Sequence, residues 1–381
     1  MIRDILLLLS ALVLLLTGCT VGGNGTLPEN YTPIEIDYAK YLKMGDCGDF
    51  LLVDVINPWD TTSYLQRYIL ASDKAIFEKS ASQIPEATFV KIPIDNIIVY
   101  SSVHVSMLEE LGAVGKIVGV CEPEYILSDE VKRGVAEGKI MDCGNSVSPN
   151  LEKIIESKGE IIIASPFQNS TYGAVEKSSI PIIEGADYME NHPLGRTEWI
   201  KLYGYLLGKP ALGDSLFKAV ESNYNRMKSV VAEAIDKGRK RPKMISEKKY
   251  GNSWGVPGGL SYISVMYEDA GAENIFGEYR QSGSVMLSFE QVLAKGIDAD
   301  YWLFKYNAER NFTYKELAQE YPLYEKFAPF VNRKIYACNT SYIGYYDDIT
   351  LHPDKILADF IKIFHPDLLP EHNLRYFLPL E

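Results

Sequence analysis

Between Ile34 and Pro93 apolar and polar positions alternate around turn residues, as in FLLVDVINPWDTTSYLQRYILAS (50–72). That period of two predicts two strands joined through Asn57-Pro58. Past Pro93 the pattern changes. NIIVYSS (96–102), GKIVGV (115–120), EIIIAS (160–165) and IPIIEG (180–185) are short apolar runs that predict buried strands. VHVSMLEELG (103–112) and NLEKIIESKG (150–159) carry helical spacing and close on Gly112 and Gly159. Strands alternating with helices need right-handed crossovers and a mostly parallel sheet.

From about Thr197 to Lys240 the spacing turns helical, interrupted near GKPALGD (208–214). Thr197 reads as the N-cap of EWIKLYGYLLG, with Glu198 placed to serve the helix dipole. Further on, Leu216, Val220, Tyr224, Met227, Val231 and Ile235 fall on one stripe, as expected of a long helix between domains. Beyond the basic KGRKRPK (237–243) the strand–helix order begins again, with KMISEK (243–248) and SYISVMYEDAG (261–271).

This second half repeats the first. SPNLEKIIESKGEIIIAS (148–165) returns as LSFEQVLAKGIDADYWLF (287–304), each with a Glu near the helix start (Glu152, Glu290). SMLEELGAVGKIVG (106–119) matches SVMYEDAGAENIFG (264–277), and IPIIEGADYMENHP (180–193) matches KIYACNTSYIGYYDD (334–348). Three correspondences in one order predict an α/β protein of two related lobes, residues 34–208 and 241–381, joined by one long helix over 209–240.

Residues 1–18 read as a lipoprotein signal peptide. The apolar run Ile5–Leu16 is shorter than the roughly 20 residues of a membrane span, and small residues precede Cys19. LTGC resembles a bacterial lipobox, which makes Cys19 the lipidation site and 19–33 a flexible tether. The expected location is outside the cytoplasm, lipid-anchored, on the periplasmic face of a membrane.

The formal charge of −13 argues against nucleic acid, whose phosphates require basic surface. Cys47, Cys121, Cys143 and Cys338 lack zinc-site spacing. Cys121 and Cys143 each follow a predicted strand and form a candidate disulfide, with buried free thiols as the alternative. No nucleophile elbow, zinc-protease or EF-hand motif occurs, and the five His (His104, His192, His352, His365, His372) are scattered. Neither an enzyme nor a bare metal site is supported.

Ligands of such sheets bind at the carboxyl ends of the parallel strands. The loops expected there supply Ser102, His104, Gln168, Asn169, Arg196, Trp254, Gly258, Gly259, Tyr262, Tyr306, Tyr345 and Tyr346 as candidate ligand-binding residues. The aromatics, drawn from a total of 26 Tyr, would form a wall for a large, flat ligand, and Arg196 a clamp for its oxygen atoms. The glycine pair in WGVPGGLS would let backbone approach the ligand and offer N–H groups to an anion. So few cations lean away from a highly charged tris-catecholate.

The ordered set of lipobox, VYSSVHVSMLEELGAVGKIVGV, GNSVSPNLEKII, EWIKLYGYLLGK, long helix, FEQVLAKGIDADYWL and LHPDKILADFIKIFHP resembles the substrate-binding lipoproteins of ABC importers for iron chelates, haem and cobalamin. The resemblance covers essentially the whole mature chain. It implies a monomeric bilobal periplasmic binding protein, two Rossmann-like lobes on a helical spine, with no intrinsic cofactor. Its ligand would be a metal chelate such as a ferric siderophore, haem or cobalamin. Its partner would be a permease dimer with an ATPase, docked through an exposed Glu on each lobe, here Glu152 and Glu290. A ligand-sensing lipoprotein, a two-lobed hydrolase and a free-metal binder are the alternatives.

Overall fold

The computed structural model describes residues 27–81 and 84–381. The leader, Cys19 and most of the tether lie outside the described residues.

The first lobe is built on five parallel strands in the spatial order Ile182–Glu184, Ile161–Ala164, Ile97–Val99, Ile117–Val120 and Met141–Asp142. Runs such as Ile161-Ile162-Ile163-Ala164 are buried along their length because helices cover both sheet faces. The second lobe repeats the plan. Its order is Glu273–Asn274, Lys243–Ser246, Tyr301–Tyr306 and Ile335–Asn339, all parallel, with Leu378–Pro379 added antiparallel. Each repeated passage of the sequence thus occupies an equivalent strand: 117–120 corresponds to 273–274, 161–164 to 301–306, and 182–184 to 335–339.

The lobes are joined by the helix Pro210–Asp236, 27 residues and about 40 Å long at 1.5 Å per residue. Proline at its first position explains why GKPALGD opens the helix, where the sequence suggested a break. Its buried stripe is Gly213, Phe217, Val220, Tyr224, Met227 and Val231; Leu216 and Ile235 are only partly buried. Gly213 is required there, because a Cβ would lie 2.9 Å from the carbonyl oxygen of Ile200 in the crossing helix Ile200–Leu206. One hydrophobic cluster runs from Val99 through Trp199, Phe217 and Tyr224 to Met244, Tyr267 and Phe360, so the core is continuous through the spine.

The region Ile34–Pro93 holds more than two strands. Thr32–Ile34, Leu42–Asp46, Leu51–Ile56, Tyr64–Ala71 and Thr88–Lys91 form a separate sheet, antiparallel except for the last pair. The Asn57-Pro58 turn lies where alternation placed it, between 51–56 and 64–71. This sheet is fastened to the first lobe by buried polar groups. The Tyr68 hydroxyl donates to the Ile182 carbonyl at 2.8 Å and accepts the Glu184 N–H at 2.9 Å, closing the edge strand. Glu198, fully buried, accepts the N–H groups of Asp37, Tyr38 and Ala39 and an ion pair from Lys201.

Glu198 is therefore a strap, and its expected dipole role is replaced. It ends the helix Pro193–Glu198, whose N-cap is His192; Thr197 is inside that helix and donates its hydroxyl to the Thr350 carbonyl at 2.7 Å.

Candidate functional site

The carboxyl ends of both sheets open into cavities. On the first lobe, a cavity of about 250 Å³ is lined by Tyr100, Ser102, Cys121, Glu122, Phe167 and Tyr172 among others. On the second, a cavity of about 730 Å³ is walled by Glu247, Tyr250, Tyr262, Lys305, Tyr306 and Tyr346. Tyr100, Cys121 and Glu247 each directly follow a buried strand, which is where side chains leave a parallel sheet for its ligand edge.

The lobes touch beside these cavities. The helix Tyr345–Leu351 packs on Ser102–Glu110, His352 Nε2 lies 2.9 Å from Glu110 Oε1, and the Arg196 guanidinium stands 4.3 Å from the Tyr262 ring centroid. Asp347 faces Ser102 across this contact; burial raises its carboxyl above the usual range, and the Ser102 hydroxyl works against that rise.

The expected site residues divide into three groups. Ser102, Tyr262, Tyr306 and Tyr346 line the cavities. Arg196 is buried against Tyr262, while Gln168 and Asn169 are exposed beside Phe167 and Ser170 of the first-lobe wall.

The third group belongs to the framework. Trp254 has no exposed surface; its ring packs on Trp302, Tyr324 and Phe327, and its N–H donates to the Ser246 carbonyl at 2.9 Å. His104 is buried, with Nε2 3.0 Å from Asp187 Oδ1 and its ring beside Tyr203. Tyr345 is buried beneath Lys305, whose Nζ is 5.4 Å from its ring centroid. Gly258 and Gly259 spend their N–H groups on the carbonyls of Gly283 and Tyr279. A Cβ on Gly259 would lie 2.0 Å from the Gly277 oxygen, so the close approach is to the chain's own loop and replaces the expected approach to an anion.

Cys121 and Cys143 are free buried thiols, which corrects the candidate disulfide. Strand register (Val120 opposite Asp142) brings the two cysteines next to each other in a hydrophobic cluster with Tyr100. Burial pushes the Cys143 thiol up to about 11 and raises Cys121 further, so both are protonated at neutral pH. Among the described residues no group of three or more His, Cys, Asp and Glu is placed to hold a metal ion, and no helix is long and apolar enough to cross a membrane.

Several cavity residues escaped the sequence reading, chiefly Glu247, Lys305, Tyr250 and Phe312 on the second lobe and Tyr172 on the first. Tyr172 donates to Glu184 at 2.6 Å. Burial pushes the Glu184 carboxyl from 4.5 up to about 7, against the lowering effect of that hydrogen bond. A carboxyl that holds its proton more tightly when folded makes the native state lose stability as pH rises from 4.5 to 7. Glu184→Gln is expected to flatten that dependence and to stabilise the protein at pH 8 by on the order of 3 kcal/mol. Urea titrations at pH 5 and pH 8 measure it; equal pH dependence in both proteins would mean the carboxylate is well solvated.

Glu152 and Glu290 are both exposed and both second in their helices, Leu151–Glu156 and Phe289–Gly296. Capping is carried by other residues: Asn150 accepts the Lys153 N–H, and Ser288 with Gln291 forms a capping box.

Similarity to known proteins agrees with this architecture. An uncharacterized lipoprotein of Methanocaldococcus jannaschii, MJ0878, is 24% identical over 94% of this chain and 90% of its own length. A periplasmic heme binding protein from Pseudomonas aeruginosa superposes with a TM-score of 0.55 at 14% identity, covering 76% of this chain and 98% of that one. An ABC-type Fe3+-hydroxamate transport system protein from Saccharomonospora viridis gives 0.55 at 17% identity, over 72% and 94%. At these identities the solved structures speak for the fold alone. The separate N-terminal sheet lies before the part of the chain that matches a family model. That model, described as periplasmic binding protein, matches residues 97–342, about two thirds of the chain, and the protein belongs to this family.

Proposed function

We propose that the protein is the substrate-binding lipoprotein of an ABC importer. It captures a metal chelate (ferric siderophore, haem or cobalamin) between its lobes and delivers it, unchanged, to a permease dimer driven by an ATPase. The observation that carries this reading is the pair of cavities at the carboxyl edges of the two repeated sheets, one on each side of the lobe junction. A volume of about 730 Å³ on one side is in the range of small-molecule sites. Two structural relatives, a periplasmic heme binding protein and an Fe3+-hydroxamate transport system protein, support the chelate class. Lipidation at Cys19 is supported by the lipobox and by the lipoprotein name of the Methanocaldococcus relative. Glu152 and Glu290 are the proposed permease contacts, and the working form is a monomer.

Titration of the purified protein with haemin, ferric siderophores and cyanocobalamin, followed by aromatic fluorescence, tests the reading. Saturable quenching by one of these is expected. No binding to any of them would remove the chelate-receptor function.

A further inference from the structure

Among the described residues most buried charged groups have a partner of opposite charge or a set of N–H donors. Arg67 pairs with Asp54, Lys201 with Glu198, and Asp359 accepts the N–H groups of Arg375, Tyr376 and Phe377. Glu190 accepts those of Lys40 and Tyr41, and His104 meets Asp187. Arg196 is 6% exposed, and among the described residues its guanidinium has no carboxylate or carbonyl partner; its Nε is sealed from water and unpaired. A sealed Nε–H without an acceptor has lost its water and gained nothing in return. Such a position is stable in the working cycle when an anion arrives to complete it.

The surroundings say where the anion would sit. The ring over which Arg196 lies, Tyr262, also walls the large cavity. Lys248, Lys249 and Lys305 line the same cavity against a single carboxylate, Glu247, in a chain whose net charge is −13. Lys248 is held by Glu320, outside the lining, and Lys305 by Glu247. Lys305 is mostly buried, and burial alone would lower its affinity for a proton; the Glu247 carboxylate more than reverses that, so it stays charged. The pair is a cation with its counter-ion already beside it, on the wall of an open cavity.

Resting on the chelate-receptor reading, we infer that the cargo carries an oxyanion, a carboxylate or catecholate, gripped from the first lobe by Arg196 and from the second by Lys305. Glu247 is the internal counter-ion that neutralises Lys305 while the site is empty and gives it up to the ligand. This sets the charge class of the cargo, and it reverses the inclination against anionic chelates that a cation-poor reading of the loops gave. It also couples capture to lobe contact, because the two cations belong to different lobes.

The experiment compares probes of opposite charge on the full protein. Haemin, through its propionates, and a ferric tris-catecholate carry net negative charge on carboxylate or catecholate oxygens; a ferric trihydroxamate of no net charge and cyanocobalamin, whose phosphodiester is balanced by its cobalt centre, do not. At least one anionic probe is expected to bind, more weakly as salt is raised. Its Kd should rise at least 100-fold in Arg196→Met and about 10-fold in Lys305→Met, and Arg196→Lys should recover part of the loss. Glu247→Gln, which frees Lys305, should tighten the same probe. If Arg196→Met does not fold, Lys305→Met and Glu247→Gln still read the claim. Tighter binding of the uncharged probes, or an anionic probe whose Kd ignores both cations, would overturn the inference while leaving the receptor function standing. Absence of binding by every probe would remove the function itself.

Discussion

Trp254→Ala is expected to destabilise the protein by about 3–5 kcal/mol, and any loss of ligand binding it causes should follow from unfolding. The indole fills the centre of the second lobe's aromatic cluster, 5.5 Å from the Trp302 ring and edge-on to Tyr324 and Phe327 at 5.7 Å each. Truncation removes those contacts, opens a cavity the rigid neighbours cannot close, and takes away the donor that the Ser246 carbonyl accepts. Tyr346→Ala is the matching control. Tyr346 is 52% exposed on the cavity wall, so its removal should change stability by less than about 0.5 kcal/mol and act on ligand affinity alone. Urea unfolding and ligand titration of both variants separate the two roles. Full stability in Trp254→Ala together with weakened binding would put the tryptophan back on the cleft wall.

Period and order were legible: both parallel sheets, the spine helix and the equivalence of the repeated passages follow from apolar spacing alone. The direction of an individual side chain was less so. WGVPGGLS reads as a glycine-rich loop, yet Ser253–Pro257 is a strand whose Trp254 and Val256 face inward. Its partner, Ser284–Leu287, lies about thirty residues on, so the alternation Trp254-Gly255-Val256 gained meaning only from a pairing the local pattern does not contain. The three-stranded sheet they form is also why Gly258 and Gly259 meet the 277–283 loop and no ligand.

The same limit governs polar residues. Arg196, Glu198 and Thr197 are neighbours in sequence, and one helical turn sends them to three places: the lobe junction, the N-terminal strap and the Thr350 carbonyl. Local rules assigned Thr197 and Glu198 to a helix start because their tertiary partners are some 150 residues away. Arg196 is recognisable by the lack of a nearby acid at helical spacing, and among the described residues that lack extends to its tertiary neighbours. Lys305 and Glu247 had no such local mark. Their meaning depends on two adjacent parallel strands, Lys243–Ser246 and Tyr301–Tyr306, ending at the same edge.

Reversing both exposed acids, Glu152→Lys with Glu290→Lys, should abolish uptake of the cargo by cells while leaving its affinity for the purified protein unchanged. The two side chains sit at the same helical position in the two lobes, and the continuous core through the spine holds those lobes in one arrangement. A permease built of two related halves presents two similar basic patches, and a receptor that bridges them needs one acid on each lobe. Exposed ion pairs contribute only about 0.2–1 kcal/mol apiece, but a like-charge contact across a closing interface costs more and also slows encounter. Reversal should therefore harm uptake more than neutralisation to Gln, and each single reversal less than the pair.

Folding should be nearly indifferent. Asn150 and Ser288 cap the two helices, so both N-caps survive the substitutions. Glu290 does have its carboxyl held below the usual range, by its own backbone N–H and the Ser288 hydroxyl, and losing a negative charge at a solvent-exposed helix start is a minor, salt-screened loss. That is small against the stability of a protein of this size. Compensating acids in the permease should restore transport to the double variant, an outcome that a purely structural role for Glu152 and Glu290 does not predict. Uptake by the double variant at the rate of the unaltered protein, with the variant correctly anchored, would take the docking role away from these two residues and leave the cleft as the only functional surface assigned.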